Sequence, residues 1–557
     1  MNADLTSFFN FKLLKEFVKL RGKVIILHIE KVIIRGYKTF QDFEMEFNKG
    51  YNVIIGDNEA GKSTVLEALD IVLNQSLFNF ESSNFEQYFN YDNKRSFQEN
   101  PVFDNLPEIE IEVFLSGTEG VESSYFNGYH SSESNSSING IKFTYRYNEE
   151  FKSQFSEFGF SKDAENNFIP TDYYTATWNT FSGRSYHRRK TPLKTLLIDN
   201  SIRVNNIFNS YSKQVYNNKL GIEDRNKLSH SLKESIEGFV NDNRKLLEVG
   251  EYSFGIDERK SYIEQLIDLQ SSGISLQNMG KGKESLIKTE IALENTSDLI
   301  LIEEPENHLS YINTRKLIER IRDENVDAQV IITTHSPLVV SRMNLKNTLW
   351  INNDKRARSL KDIPEDTANF FERTDNLDIL NFILSKKAIL VEGHSEYVLL
   401  PFLVKNSFNS KTLDSEGVEV FSGAGLTYGN YIEVSKVINN KLLIITDNDK
   451  STDTIDSIDE LNNELKGNYN IQIQCDSEVE NFTFEVCLYN ENEEVLKDIS
   501  LQKSKTQPEY KGEEIPKDIA YMLKNKTESA LHIVDKYSNK IKAPTYIKEG
   551  VEWLMES

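Results

Sequence analysis

Apolar and polar positions along this chain switch between a period of two and a period near 3.6, and the switches mark out its elements. Residues 24–29 and 31–34 read as a strand pair, followed by Arg35-Gly-Tyr-Lys-Thr-Phe40 and the alternating Phe43-Glu-Met-Glu-Phe47. The apolar run 52–55 leads straight into a glycine-rich turn. After it, Val65, Leu66, Leu69, Val72 and Leu73 are spaced as the buried face of a helix over 62–74. Residues 108–115 alternate strictly, with Ile109, Ile111, Val113 and Leu115 on one side, and 141–147 alternate likewise, which predicts antiparallel strands. The stretch 117–140 is rich in Ser, Gly and Asn and has no period, so a mobile surface loop tolerant of insertions is expected there.

Over 205–247 the period returns to 3.6, and Leu228, Leu232, Ile236, Phe239 and Val240 predict long helices projecting from the sheet, arms suited to pairing subunits. From 297 onward strand and helix alternate: strand 299–302, helix 312–323, strand 329–333, and a helix near Leu338. A second α/β run follows, with strand 388–391, helix 395–405, and strands 418–421 and 441–446. A boundary is expected in the polar stretch 354–376. That gives a first domain over 1–375, with a helical dimerisation insert at 202–250, and a second over 376–557. Before residue 24, Phe8, Phe9, Phe11, Leu13, Leu14, Phe17, Val18 and Leu20 interleave with Lys and Glu. This is the pattern of an amphipathic packing or interface helix, not of a signal peptide.

Composition narrows the function. The 557 residues correspond to two or three domains, and 64 Lys plus Arg against 87 Asp plus Glu leave a net charge of −23. That argues against a mainly electrostatic nucleic-acid coat or a membrane-surface binder, so any DNA contact must come from local basic patches or metal ions. Two cysteines, Cys475 and Cys487, are too few for a disulfide framework or a CxxC zinc site, and a reducing cytoplasm is expected. The dense basic segment Arg184-Ser-Tyr-His-Arg-Arg-Lys190, with Lys194, reads equally as a phosphate-tracking surface or a solvated loop.

The glycine-rich turn carries chemistry. Gly56-Asp-Asn58-Glu-Ala-Gly61-Lys62-Ser63 fits G-x-x-x-x-G-K-[ST] between a strand and a helix. The glycines let backbone N–H groups turn around the β-phosphate of ATP, Lys62 reaches the β/γ-phosphates, Ser63 holds Mg²⁺ and Thr64 assists. Downstream, the strand 299–302 ends in Glu303 and Glu304; the first suits Mg²⁺ and the second suits polarising the attacking water. Thr333-Thr-His335-Ser-Pro337 then places a histidine after a buried strand, where it can contact the γ-phosphate.

Together with Ile34-Arg-Gly-Tyr-Lys-Thr-Phe40, these motifs resemble the ABC-type ATPases of the RecF, SMC and Rad50 group. The resemblance implies a site closed by a signature loop from a second subunit. The best local match is Asn278-Met-Gly280-Lys-Gly282-Lys-Glu-Ser285, which departs from the usual serine-glycine-glycine form, and Glu303 stands where the group has Asp.

In the second α/β run, Ala388-Ile-Leu-Val-Glu392-Gly-His-Ser-Glu396 and Leu442-Leu-Ile-Ile-Thr-Asp447-Asn-Asp449 are apolar strands ending in acids. Carboxylates at the ends of adjacent parallel strands converge in the crevice where α/β sheets bind ligands. Unless divalent cations fill the space they repel, so Mg²⁺ or Mn²⁺ is implied, with Glu392, Glu396, Asp447 and Asp449 as ligands. Such a site suits phosphodiester cleavage.

This Glu-Gly then Asp-x-Asp order resembles the toprim domain. Behind an ABC-type ATPase it resembles the overcoming-lysogenisation-defect (OLD) nucleases, with a layout similar to the Gabija nuclease-ATPase subunit or a retron-associated OLD nuclease. The resemblance implies a further metal-ligand carboxylate at Thr483-Phe484-Glu485, with Glu480 as the alternative, and a lysine in Lys524-Asn-Lys526-Thr near the scissile phosphate. It implies an ATP-regulated, metal-dependent DNA endonuclease in antiphage defence, acting as a homodimer or higher oligomer. The implied partner is a UvrD-like helicase or a reverse transcriptase with its RNA/DNA product. Two alternatives remain open: an ABC-type DNA-repair or structural ATPase with a non-catalytic toprim domain, and, more weakly, a topoisomerase-like strand passer.

Overall fold

The computed structural model describes residues 27–75, 85–117, 123–130, 137–158, 160, 168–187, 191, 193–199, 206–255, 263–294, 297–323, 328–374, 378–408, 410–423, 428–500, 509–510 and 513–556. The expected helix before residue 24 and the basic residues Arg188, Arg189 and Lys190 lie outside them. The chain forms two compact units. One takes residues up to Val339 with Asn347–Ser359; the other takes Val340–Lys346 and the chain from Leu360 onward.

In the first unit an antiparallel sheet is built from β1 (His28–Tyr37), β2 (Phe40–Glu46), β4 (Ile109–Ser116), β5 (Ile138–Tyr147) and β6 (Tyr174–Thr180), in the order β2-β1-β4-β5-β6. The strand pair expected at 24–34 is, from His28, one strand. A register shift between Ile29 and Lys31 against β4 breaks its alternation, and a bulge of this kind reads in sequence as a strand end. The alternating apolar residues of β4 are buried in a core shared with Val65, Leu66, Leu69, Val72 and Leu73 of α1 (Lys62–Asn74).

The far end of α1 is fastened to this sheet. Trp178 Nε1 donates to the Ile71 carbonyl at 3.0 Å, Tyr186 Oη donates to the Leu73 carbonyl at 2.8 Å, and Gln75 Nε2 donates to the Tyr186 carbonyl at 3.0 Å. The first two occupy carbonyls of the last turn that the helix itself cannot pair.

A second sheet holds β3 (Tyr51–Gly56), β7 (Thr195–Asp199), β8 (Leu299–Glu303), β9 (Gln329–Thr333), β10 (Thr348–Ile351) and β11 (Ala357–Ser359) in the order β11-β10-β3-β9-β8-β7. All neighbours are parallel except β10 and β11. Its central strands β8 and β9 are wholly buried, which is why they read as apolar runs without alternation.

The helical region consists of α2 (Asn206–Lys219), α3 (Ile222–Asp242) and the start of α4 (Lys281–Glu294). No residue of α3 is buried; Leu228 and Phe239 of its apolar stripe are exposed. Within the expected loop 117–140 the structure differs from expectation. Ser123–Phe126 is a helical turn with Phe126 buried, and Asn127–Gly128 pairs with β5. The backbone there lies directly on residue 181: a Cβ on Gly128 would come 1.8 Å from the Phe181 carbonyl oxygen.

In the second unit a parallel sheet is formed by β12 (Lys387–Val391), β13 (Val418–Ser422), β14 (Lys441–Ile445) and β15 (Ile471–Gln474), ordered β13-β12-β14-β15. Helices α5 (His394–Ser407), α6 (Thr452–Leu465), α7 (Phe484–Glu491), α8 (Lys526–Tyr537) and α9 (Thr545–Met555) accompany it. Residues of 360–375 belong to this unit and not, as the sequence suggests, to the first. The helix Glu365–Thr374 buries Phe371, whose ring meets Tyr431 edge-on at 5.2 Å.

Candidate functional site

Strand register builds the first site. Glu303 is the parallel partner of Thr333, and Thr333 of Ile54, so three adjacent strands end level with one another. Glu304, Thr334, His335 and the loop that begins at Gly56 therefore emerge from one edge. The glycines of the loop are required: Gly61 sits at φ 108°, and a Cβ there would come 2.4 Å from Phe40 Cζ, while one on Gly56 would meet the Ile351 carbonyl oxygen at 2.7 Å.

Lys62 is buried, and its Nζ donates to the carbonyls of Gly56 at 3.0 Å and Asp57 at 3.1 Å. Burial lowers its pKa to about 8, against the pull of Glu304, Asp57, Glu303 and Glu306. Asn58 and Ser63 are exposed and Thr64 is buried. Glu303 is buried; Glu304 stands in left-handed backbone at φ 43°, with its Oε1 3.7 Å from His335 Nε2 and its Oε2 accepting from Asn307 Nδ2. Burial, then the Lys62 charge, hold the His335 pKa below its ordinary value, so its ring is neutral at pH 7.

One residue of this edge escaped the sequence reading. Glu306 Oε1 accepts from the Thr334 hydroxyl at 2.7 Å and from the His335 N–H at 2.9 Å, while its Oε2 is buried without a donor. Burial raises its pKa. A third acid two places beyond the Glu303-Glu304 pair was the available signal. Gly280 and Gly282 precede and enter α4, and Gly282 packs on the His308 carbonyl, where a Cβ would come within 2.6 Å. Among the described residues no hydrogen bond joins them to the 56–64 loop.

The second site lies in the second unit, again at strand ends. Val391 pairs in parallel with Ile445, so Glu392 and Thr446 leave the sheet side by side. The next strands in the chain run to opposite sides of β12, which makes this gap the switch point of the sheet. Glu392 Oε2 accepts from the Thr446 hydroxyl at 3.0 Å and the Asp447 N–H at 3.2 Å. Asp447 Oδ1 accepts from the Phe484 N–H at 2.8 Å, at the start of α7. Glu485, one residue on, is buried with its Oε2 paired to Lys526 Nζ at 3.0 Å, and its Oε1 has no donor. Glu396 is buried in the first turn of α5.

The group is electrostatically loaded. Burial raises the pKa of Asp447 to about 8, with the charges of Glu392 and Glu396 adding to it, and burial followed by the Glu485 charge raises Glu396 to about 7. Lys526 is shifted upward because the Glu485 charge overcomes its own desolvation.

Thus the structure brings Glu392, Glu396, Asp447, Glu485 and Lys526 into one neighbourhood. Asp449 is exposed, and Asp449 and Lys450 are both in left-handed backbone at φ 55° and 60°. Glu480 is exposed as well. Among the described residues no three His, Cys, Asp or Glu side chains stand as a ready metal cage, since Glu392, Asp447 and Glu485 each face a protein donor or cation. The donor set nevertheless fits a divalent cation. Its oxygens are hard ligands, Glu485 Oε1 is buried without a donor, and burial pushes Asp447 and Glu396 toward protonation, with the neighbouring carboxylates adding a repulsion that a cation would relieve.

Known proteins match at both sites. Residues 28–340 match the family described as AAA ATPase domain, and residues 383–449 match the TOPRIM domain of overcoming lysogenization defect protein-like proteins. The DNA replication and repair protein RecF of Clostridium kluyveri is 26% identical over 98 residues, 17% of this chain and 26% of that protein. The DNA double-strand break repair Rad50 ATPase of Methanopyrus kandleri is 47% identical over 45 residues, 8% of this chain and 5% of that protein. The chain thus spans about a quarter or less of the length of these relatives. The Smc head domain with a coiled coil and joint from Pyrococcus yayanosii superposes with a TM-score of 0.34 and 10% identity, over 63% of this chain and all of that one. The two domains imply ATP and a divalent metal, and no helix among the described residues is long and apolar enough to cross a membrane. The chain belongs to the AAA ATPase domain family and carries an OLD-like TOPRIM domain behind it, an enzyme with ATPase and nuclease features.

Proposed function

We propose that this protein is an ATP-regulated DNA endonuclease, dependent on Mg²⁺ or Mn²⁺, that nicks or cuts DNA in antiphage defence. The observation that carries the reading is the meeting of Glu392 with the Asp447 N–H at the switch point, beside buried Glu396 and Glu485 and the cation of Lys526. Glu392, Asp447 and Glu485 would hold the metal, with Glu396 and Asp449 as the remaining candidates. The metal supplies activation of water and charge on the leaving oxygen. Glu396, with a pKa of about 7, exchanges a proton near neutrality, and Lys526 stabilises negative charge developing on the phosphate.

In the ATPase domain the 56–64 loop and Lys62 bind the β/γ-phosphates, Ser63 and Glu303 serve Mg²⁺, and Glu304 with His335 faces the γ-phosphate. Gly280 and Gly282 would serve a second copy, which makes a homodimer or higher oligomer the working form, and the exposed stripe of α3 offers a pairing surface. DNA as substrate agrees with the printed names of the RecF and Rad50 relatives. Phage defence, a cytoplasmic setting and a helicase or reverse-transcriptase partner rest on the resemblance to OLD nucleases.

A second reading, an ATPase with a non-catalytic toprim domain, is favoured by one observation: the carboxylates face protein donors and not one another. One experiment separates the two. Supercoiled plasmid is incubated with the protein and Mg²⁺ or Mn²⁺, with and without ATP. The nuclease reading expects nicking that Asp447→Ala abolishes and whose nucleotide dependence alone changes in Lys62→Ala. Absence of metal-dependent nicking by the wild type, or nicking unchanged in Asp447→Ala, rejects it.

A further inference from the structure

Between the two acids of the Asp-x-Asp corner stands Asn448, which is 1% exposed. Its side-chain amide is spent on one loop. Nδ2 donates to the carbonyls of Asp476 at 3.0 Å, Glu478 at 2.9 Å and, more weakly, Asn481 at 3.4 Å, while Oδ1 accepts from the Lys450 N–H at 2.9 Å. Three backbone carbonyls aimed at one amide are a demanding arrangement. A donating side chain suits it, and the Asn448 amide supplies two hydrogens where a carboxylate could only accept.

That loop delivers the rest of the site. It is closed on itself by Asp476 Oδ1, which accepts from the Glu478 N–H at 3.0 Å and Asn481 Nδ2 at 3.2 Å, and the Asn481 carbonyl also accepts from Cys487 Sγ at 3.3 Å. It runs directly into α7, whose first N–H, from Phe484, is bound by Asp447 and whose next residue is Glu485. The 447–448 dipeptide therefore holds both ends of one segment: Asn448 grips the loop at 476–481 and Asp447 grips the helix start at 484.

We propose that Asn448 is a positioning residue of the carboxylate site, holding the 476–483 loop so that Glu485 and the Phe484 N–H keep their places relative to Glu392 and Asp447. This deepens the nuclease reading and rests on it. Partners behind the ligands fix ligand orientation, and their loss weakens metal binding by about 10–100-fold.

Charge gives the proposal a sharp sign. Asn448→Asp adds a negative charge beside a cation site, so electrostatics alone tightens binding. As a clamp, the same change replaces the donor with an acceptor facing three carbonyl oxygens and expels the loop, so binding weakens. Asn448→Ala removes the grip without repulsion and falls between wild type and Asp. It also keeps the test usable if the Asp variant does not fold.

The test is a Mn²⁺ titration of the full chain followed by electron paramagnetic resonance, with Asp447→Ala as the reference for site loss, and with ATP turnover and thermal midpoint measured alongside. The expected result is Mn²⁺ affinity lowered about tenfold or more in Asn448→Asp and less in Asn448→Ala. ATP turnover stays unchanged, and plasmid nicking returns at raised Mn²⁺. Affinity unchanged or tightened in both variants, with the wild type binding Mn²⁺ at a site lost in Asp447→Ala, overturns the inference alone. A wild type that binds no Mn²⁺, or binds it equally in Asp447→Ala, overturns the nuclease reading and this inference together.

Discussion

Glu306 holds the His335 main chain in place: its Oε1 accepts the His335 N–H at 2.9 Å and the neighbouring Thr334 hydroxyl at 2.7 Å. Removing the acceptor strands the buried Thr334 hydroxyl just beyond β9. Glu306→Ala is expected to cost about 1–3 kcal/mol of stability, the usual penalty for a buried group left without its partner. Glu306→Gln keeps an oxygen at that place and is expected to cost less than half as much. Urea unfolding of the three proteins checks the order; equal midpoints for Ala and Gln would contradict it.

Lys62, held down to about 8 by burial, makes nucleotide binding pH-dependent. Phosphate favours the charged lysine, so in alkaline solution ATP must recruit a proton as it binds. Affinity is expected to fall above pH 8, by at most about tenfold per pH unit, the limit for a single linked proton. Calorimetry in buffers of different ionisation enthalpy reads the proton directly, and no proton uptake between pH 8 and 9.5 would rule this out.

Asp447 and Glu396 give the opposite end of the scale. Their folded pKa values, about 8 and about 7, lie above the ordinary 3.8 and 4.5. Between those limits the native state binds more protons than the unfolded chain, so these two groups make stability fall as pH rises from about 4 to 8. In chelator the protein is expected to unfold more readily at pH 8 than at pH 5.5, by more than about 1 kcal/mol. Mn²⁺ should narrow the gap, and Asp447→Asn should flatten it in chelator. A profile unaffected by both would count against the carboxylate group.

Gly128 lies against backbone, since a Cβ there meets the Phe181 carbonyl oxygen at 1.8 Å. Gly128→Ala is expected to destabilise the antiparallel sheet by about 1–3 kcal/mol, the range for overpacked sites. An insertion after residue 133 should be tolerated better than one after Phe126. Thermal midpoints of the three variants decide it.

Strands buried on both faces and helices with one apolar stripe announced themselves, so β8, β9, β12, β14 and α1 were legible almost to the residue. With them came the places of Lys62, Glu304, His335, Glu392 and Asp447, because a parallel sheet collects its strand ends at one edge. What periodicity cannot show is register and side-chain partnership. The shift at Lys31 broke a strand that is continuous in space. The Glu306 link to His335 spans 29 positions, and the grip of Asn448 on the 476–481 carbonyls spans up to 33, so neither leaves a local trace. The left-handed pair Asp449 and Lys450 is likewise a backbone choice that the acid-rich text does not reveal.

Trp178 and Tyr186 grip the last carbonyls of the helix that Lys62 begins. That helix, 13 residues and so about 20 Å long, is a stiff strut. One of the two residues that anchor its foot, Tyr186, lies within the basic segment that begins at Arg184. Tied at one end to the antiparallel sheet, the strut sets where its other end, and with it the Lys62 ammonium, can stand.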